Sequence, residues 1–186
     1  MNSLHLTHSL IALMLLGLSN LSYEKNEVSI LQNDRFLTNL VGEASHGRTA
    51  ACVELITPQE VTVGNVCLSN TQDSLEVRFQ VQDGWFLSET HLAVSASLDG
   101  IPKVGPGVPV VGQFRYKSTH ATVSTEQAYT ISLDSLEVSP GSEIVIAAHA
   151  SLVNDLKQEE GAWGRGERFV KEGNPGTYFM YTLELP

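Results

Sequence analysis

The sequence predicts an all-β fold, an antiparallel β-sandwich of the jelly-roll or Ig-like kind with seven to eight strands. Apolar and polar residues alternate in many short segments, most clearly where Leu75, Val77, Phe79 and Val81 are separated by polar residues. This alternation is typical of strands with one buried and one wet face. Gly- and Pro-containing turns separate the segments, and no helical pattern alternates with them, which favours a sandwich over a βα fold.

The first 22 residues have the composition of a signal peptide. Leu10 to Leu18 is an unbroken apolar run, followed by small or polar residues up to Ser22. Nine residues are too few to cross a bilayer. We expect cleavage after Ser19 or Ser22 and no membrane span in the mature chain, although a buried N-terminal helix is an alternative, because the start of the segment lacks Lys and Arg.

Residues 23–47 are expected to form an N-terminal arm ahead of a single β-sandwich domain at residues 48–186. The arm carries enough apolar side chains that it must bury them somewhere. Two hypotheses follow. The arm packs as a strand or helix on its own sandwich, or Val28 to Leu31 adds as a strand to an exposed sheet edge of another copy, which gives chains or filaments.

Two cysteines predict a stapled hairpin. If Cys52 and Cys67 face each other, the hairpin centre falls between Gln59 and Glu60, inside a turn-like stretch that contains Pro58. The apolar residues on both strands then share the opposite face. A disulfide here needs an oxidising compartment, which agrees with export. The alternative is two free, buried thiols in a cytosolic protein.

Further strands are predicted along the rest of the chain, with turns at Asp83-Gly84 and Ser139-Pro140-Gly141. Two connections, Asp99 to His120 and Asn154 to Gly166, are longer than a turn requires, and we expect both at ends of the sandwich, where binding loops usually sit. The predicted strand segments are Phe86 to Leu98, Gln127 to Leu133, Glu143 to Val153 and Thr177 to Leu183.

A polar constellation on two of these strands is the candidate metal site. Alternation places Glu89 and His91 on one strand face, together with Trp85 and Leu87. If the strand that carries His149 is a neighbour, Glu89, His91 and His149 converge as an oxygen and two imidazoles, a set that holds a divalent metal such as zinc. The alternative is a hydrogen-bonded structural network.

A second candidate site is the Gly-flanked loop around Trp163. The loop presents Trp163, Arg165 and Arg168 as candidate ligand-binding residues, with an extracellular glycan as the ligand and acidic residues to hold Ca²⁺. The alternative is that the indole anchors the loop in the core.

Four motifs resemble a family of secreted, single-sandwich β-domains found in microbial surface proteins. These are GWFLSETHLAV (84–94), IVIAAHA (144–150), AWGRGERF (162–169) and TYFMYTL (177–183). Gly161 and Pro175-Gly176 depart from the pattern, where Thr and Trp-Ala are expected. The resemblance implies an architecture and a surface location, and no settled biochemical activity.

Charge and missing motifs narrow the function further. Eleven basic against twenty-one acidic residues give a formal charge of -10, which disfavours binding to nucleic acid and to anionic membranes. The chain has no nucleophile elbow, zinc-protease helix motif or phosphate loop. The favoured interpretation is a secreted, non-catalytic surface, matrix or adhesion module. The alternatives are a Ca-dependent carbohydrate-binding module and a metal-dependent hydrolase that uses Glu89, His91 and His149.

Overall fold

The computed structural model describes residues 50–185, and this stretch is an antiparallel all-β fold, as predicted. The signal peptide, the arm and the strand at 28–31 lie outside the described residues. No helix in the described range is long and apolar enough to cross a bilayer. The strands are β1 Ala51–Ile56, β2 Thr62–Asn70, β3 Ser74–Val81, β4 Trp85–Ser95, β5 Lys103–Val104, β6 Val108–Pro109, β7 Tyr116–Thr119, β8 Glu126–Ser132, β9 Glu143–Asn154, β10 Glu159–Gly164, β11 Glu167–Arg168 and β12 Thr177–Thr182.

The strands form one large sheet that folds on itself as a sandwich. Its order is β11-β12-β9-β10-β1-β2-β3-β8, with β4 on the other edge of β9 and β7 beside β4. A small separate sheet joins β5 to β6. β9 is the central strand, because β4 lines one of its edges while β12 and β10 share the other.

The main core lies between the β1-β2-β3-β8 layer and the β4-β9 layer. Leu75, Val77 and Phe79 are fully buried there, whereas Glu76 and Arg78 remain partly exposed, so the predicted alternation in β3 is confirmed. Leu55 and Val66 belong to the same cluster, together with Leu92, Ile144, Ile146 and Leu152.

The stapled hairpin is confirmed. Cys52 and Cys67 are cross-strand partners joined by a disulfide, with their Cα atoms 4.0 Å apart. The register slips between Leu55 and Ile56, so that Ile56 pairs with Thr62. Glu60 takes a positive φ of 62° in the turn, and its N–H donates to the Thr57 carbonyl.

A β-bulge in β4 corrects the predicted strand faces. Leu87 pairs with Leu152, and the next pair is Glu89 with Ser151, so Ser88 is an extra residue. The bulge turns Leu87 into the main core, on the face opposite Glu89. Trp85 also packs against the main core. The prediction that both share the face of Glu89 and His91 was therefore wrong, because the sequence shows no sign of the bulge.

The two long connections also differ from the prediction. The first does not extend from an end of the sandwich, because it folds over the outer face of β4 and β9. Its residues Ile101 and Phe114 are buried with Val145 and Trp163 in a second apolar cluster. The second connection is mostly strand β10, joined to β9 by a short turn in which Lys157 has a φ of 64°.

Candidate functional site

The structure brings the predicted polar residues together on the outer face of the β4-β9 layer. His91 on β4 and His149 on β9 are direct cross-strand partners, and their ring centroids are 5.8 Å apart. The neighbouring strands extend the row, because Trp163 on β10 pairs with His149, and Lys117 on β7 pairs with His91. Four adjacent strands thus contribute one side chain each to a continuous row.

Glu89 lies at the exposed end of this group. Its Oε2 is 3.8 Å from Nε2 of His91, which is longer than a hydrogen bond. The Glu89 side chain is 47% exposed, and the His91 side chain is 14% exposed. The carboxylate is therefore largely solvated and does not close a buried network with the imidazoles.

Both imidazoles favour the neutral form. Burial, together with a smaller effect of the nearby His91, lowers the pKa of His149 to about 4. Burial also lowers the pKa of His91, against the opposing effect of Glu89, and Lys117 adds to the lowering. Nδ1 of each ring is buried without a hydrogen-bond partner among the described residues.

The metal hypothesis requires three ligands, Glu89, His91 and His149. The structure brings the two imidazoles together, whereas the Glu89 carboxylate lies at the exposed end of the group. Among residues 50–185, no group of three or more His, Cys, Asp or Glu side chains is placed to hold a metal ion. Neutral imidazoles are good ligands for transition metals. Buried histidines can also have a purely structural role, in which the ring packs against its neighbours. Metal binding by Glu89, His91 and His149 stays a prediction. In the structure, His149 packs against the Trp163 ring, with centroids 4.9 Å apart.

Trp163 is a packed side chain with a narrow opening to solvent. It is 6% exposed, and its ring meets Phe114 in an edge-to-face contact at 6.3 Å. The motif's glycines allow β12 to pack closely against this segment. A Cβ at Gly164 would lie 2.8 Å from the Phe179 ring, and one at Gly166 would lie 2.1 Å from the Tyr178 carbonyl oxygen. A flat aromatic platform for a sugar ring is therefore not displayed here.

The three candidate ligand-binding residues nevertheless meet at one place. Trp163, Arg165 and Arg168 line a cleft of about 80 Å³ between the β1-β2 turn and the start of β12. Sequence reasoning missed the turn residues Thr57 and Glu60, which line the same cleft. They contact the motif only because β1 pairs with β10, and no local pattern in the sequence signals that pairing.

Arg165 is held by carboxylates from the hairpin. Its Nε donates to Glu54 at 2.6 Å, and a terminal nitrogen donates to Glu60 at 3.2 Å. The hydrogen bond from Arg165 lowers the pKa of Glu54, and the same bond raises the pKa of Arg165. These are exposed ion pairs, so they position the β1-β2 turn against the motif more than they stabilise the fold.

Comparisons with known proteins add no assignment. No family model matches the chain, and no curated protein or solved structure matches it either. The resemblance to secreted microbial surface domains therefore stays a prediction.

Proposed function

We propose that this chain is a secreted, non-catalytic β-sandwich module with a surface, matrix or adhesion role, and that copies assemble by strand addition. Two features support an extracellular location. The Cys52–Cys67 disulfide requires an oxidising compartment, and the predicted signal peptide supplies the route. The observation that carries the assembly proposal is the open edge of β8.

β8 ends the strand order, and no strand among the described residues pairs with its outer edge. Its inner edge pairs with β3 from Ser74–Ser132 to Gln80–Glu126. On an antiparallel strand, the backbone N–H and C=O groups of one residue point to the paired strand, and those of the next residue point to the opposite edge. The Val81 N–H donates to Thr125, and the Leu133 N–H donates to Asp73, so odd-numbered residues of β8 face β3.

The backbone groups of Glu126, Ala128 and Thr130 consequently point away from the sheet. The sequence of β8, EQAYTIS, contains no Lys and no Pro, the residues that usually protect such an edge. Its only charged side chain, Glu126, is paired with Arg78. An incoming strand would meet an uncharged stretch with free outward N–H groups.

Val28 to Leu31 is the proposed donor strand. These residues precede the sandwich in the sequence and are apolar at three of four positions. Insertion beside β8 of another copy would satisfy the outward backbone groups of both strands. Since donor and acceptor are different surfaces, each added copy leaves a free donor and a free edge, which produces chains.

Light scattering on the mature protein and two variants tests this proposal. Deleting residues 23–47 removes the donor, and Ala128→Pro removes one outward N–H without breaking a β3 hydrogen bond. We expect the full mature chain to form large particles with rising concentration and both variants to stay monomeric. Ala128→Thr, which keeps the N–H, should assemble like the parent.

Unfolding curves show whether each variant keeps its sandwich, so that loss of assembly is not confused with loss of fold. A full mature chain that stays monomeric at high concentration, with or without Ca²⁺, would refute self-assembly. Equal assembly of the Ala128→Pro variant would exclude β8 as the acceptor.

A further inference from the structure

The cleft beside Trp163 has features of a binding site that the assembly function does not use. Its lining is about equally polar and apolar, with Ile56, Pro58 and Pro175 on the apolar side, and Trp163 also forms part of it. A volume of about 80 Å³ admits several water molecules or a small functional group. A volume of this size suits a small functional group of a ligand, such as a carboxylate.

One of the residues that line this cleft, Trp163, carries an unused hydrogen-bond donor. Within residues 50–185, the indole N–H of Trp163 has no acceptor, and it is not among the polar atoms that are fully buried without a partner. The N–H therefore keeps access to solvent although the residue is only 6% exposed. Because Trp163 lines the cleft, the donor is available to a ligand there.

An uncommitted positive charge lines the same cleft. Arg165 is occupied by Glu54 and Glu60. Arg168 makes no ion pair with any described residue, in a chain where acidic residues outnumber basic ones by twenty-one to eleven. β11 holds the backbone of Arg168 by pairing it with Thr177 of β12. An external acid can bind Arg168 without displacing an internal one.

We propose that this cleft binds a carboxylate group, with the Arg168 guanidinium and the Trp163 indole N–H as its donors. Arginine binds carboxylates through charge-assisted hydrogen bonds, which are about twice as strong as hydrogen bonds between neutral groups. Arg165 contributes by neutralising Glu60, whose charge at the rim would otherwise repel the ligand. The carboxylate belongs to an acidic sugar or to an acidic amino acid, and both present the same chemistry.

Titration of ¹⁵N-labelled mature protein with sodium acetate tests the site, with the indole N–H signals as readout. Trp163 and Trp85 are the two tryptophans of the chain, and Trp85, which is partly buried against the main core and does not line the cleft, is the internal control. We expect a saturable shift of the Trp163 signal alone, with a dissociation constant on the order of 1 mM. Glucuronate and N-acetylglutamate are then compared, and the tighter of the two identifies the source of the carboxylate.

Two variants complete the test. Arg168→Gln should weaken acetate binding by roughly tenfold or more, because it removes a charge-assisted hydrogen bond. Arg115→Gln is the matched control, since the Arg115 guanidinium lies over the Tyr116 ring and does not line the cleft. The unchanged Trp85 signal confirms that each variant is folded. The proposal is overturned if acetate shows no saturable effect, or if Arg168→Gln binds as well as the parent.

Discussion

At the scale of single residues, the neutral histidine pair makes the stability of the fold depend on pH. His149 is deeply buried beside His91, and its pKa falls from the ordinary 6.5 to about 4. The unfolded chain therefore binds a proton between these two values when the folded chain does not. The free energy of unfolding must decrease as the pH falls through that window.

Acidification should destabilise the sandwich through His149. A shift of this size corresponds to roughly 3 kcal/mol, lost progressively below about pH 6.5 and fully below about pH 4. Urea unfolding at a series of pH values measures the loss. His149→Leu removes the titrating group while keeping an apolar side chain against Trp163, so its stability should depend less on pH.

Carboxylates also titrate in this pH range. The informative quantity is therefore the difference between the parent and His149→Leu in how the free energy of unfolding depends on pH. Parallel pH profiles would show that His149 is not the acid-sensitive group. A rise in melting temperature of the parent with Zn²⁺, absent in His149→Leu, would instead favour the metal hypothesis.

At the scale of elements, the β1-β2 hairpin shows how much of a strand pairing the sequence pattern can predict. The position of two cysteines and the apolar face predicted the pairing of Cys52 with Cys67 and of Val53 with Val66, and the structure confirms both. Local pattern sufficed because both strands are adjacent in sequence. It could not predict the slip at Ile56, a residue that also pairs with Trp163 of β10, which is distant in sequence.

The hairpin disulfide should contribute measurably to stability. It joins residues 15 apart, and closing a loop of this length stabilises by about 3 kcal/mol on the chain-entropy model. The double variant Cys52→Ser, Cys67→Ser should unfold at lower urea while keeping the sheet, because the main core does not depend on the sulfur atoms.

Reductant provides the control for this prediction. Cys52 is exposed, so reduction should lower the stability of the parent to that of the double variant and leave the variant unchanged. Thiol titration of the native, unreduced protein should find no free thiol. Two reactive thiols in such material would contradict the staple.

At the scale of the whole molecule, the covered outer face is the main feature that sequence reasoning did not anticipate. Ile144 to Ala148 are all buried, without the alternation of a half-wet strand. A continuous apolar run of this kind indicates a strand covered on both faces. The apolar run in the sequence indicates that β9 is covered on both faces. It does not indicate which residues cover the outer face, because Phe114 and Ile101 are distant from β9 in the sequence.

The candidate site also combines features that local sequence patterns predict with features that depend on long-range strand pairing. The juxtaposition of His91 and His149 follows from alternation once β4 and β9 are neighbours, and it was predicted in that form. The cleft at Arg168 also depends on Thr57 and Glu60, which come from a distant hairpin, and on a strand pairing that no short motif encodes.

Removing the anchor of the covering loop should detach it. Phe114 is 1% exposed and packs against Trp163, so Phe114→Ala should cost about 3 to 5 kcal/mol of stability. Trypsin should then cleave the loop at Lys103 or Arg115 faster than in the parent. Val104→Ala, in the same loop at a position that is 56% exposed, should change neither stability nor cleavage. Unchanged cleavage of Phe114→Ala would show that the loop is held by other contacts.

Three of the outward carbonyl oxygens of β8 already accept hydrogen bonds from nearby side chains. Ser124 Oγ donates to Glu126, Gln127 Nε2 donates to Ala128, and Ser135 Oγ donates to Ser132. An arriving strand has to displace these bonds before it gains its own, so short encounters between copies end in separation. Under the proposed assembly, every addition would therefore be slow and weak, and long chains would form only at high protein concentration.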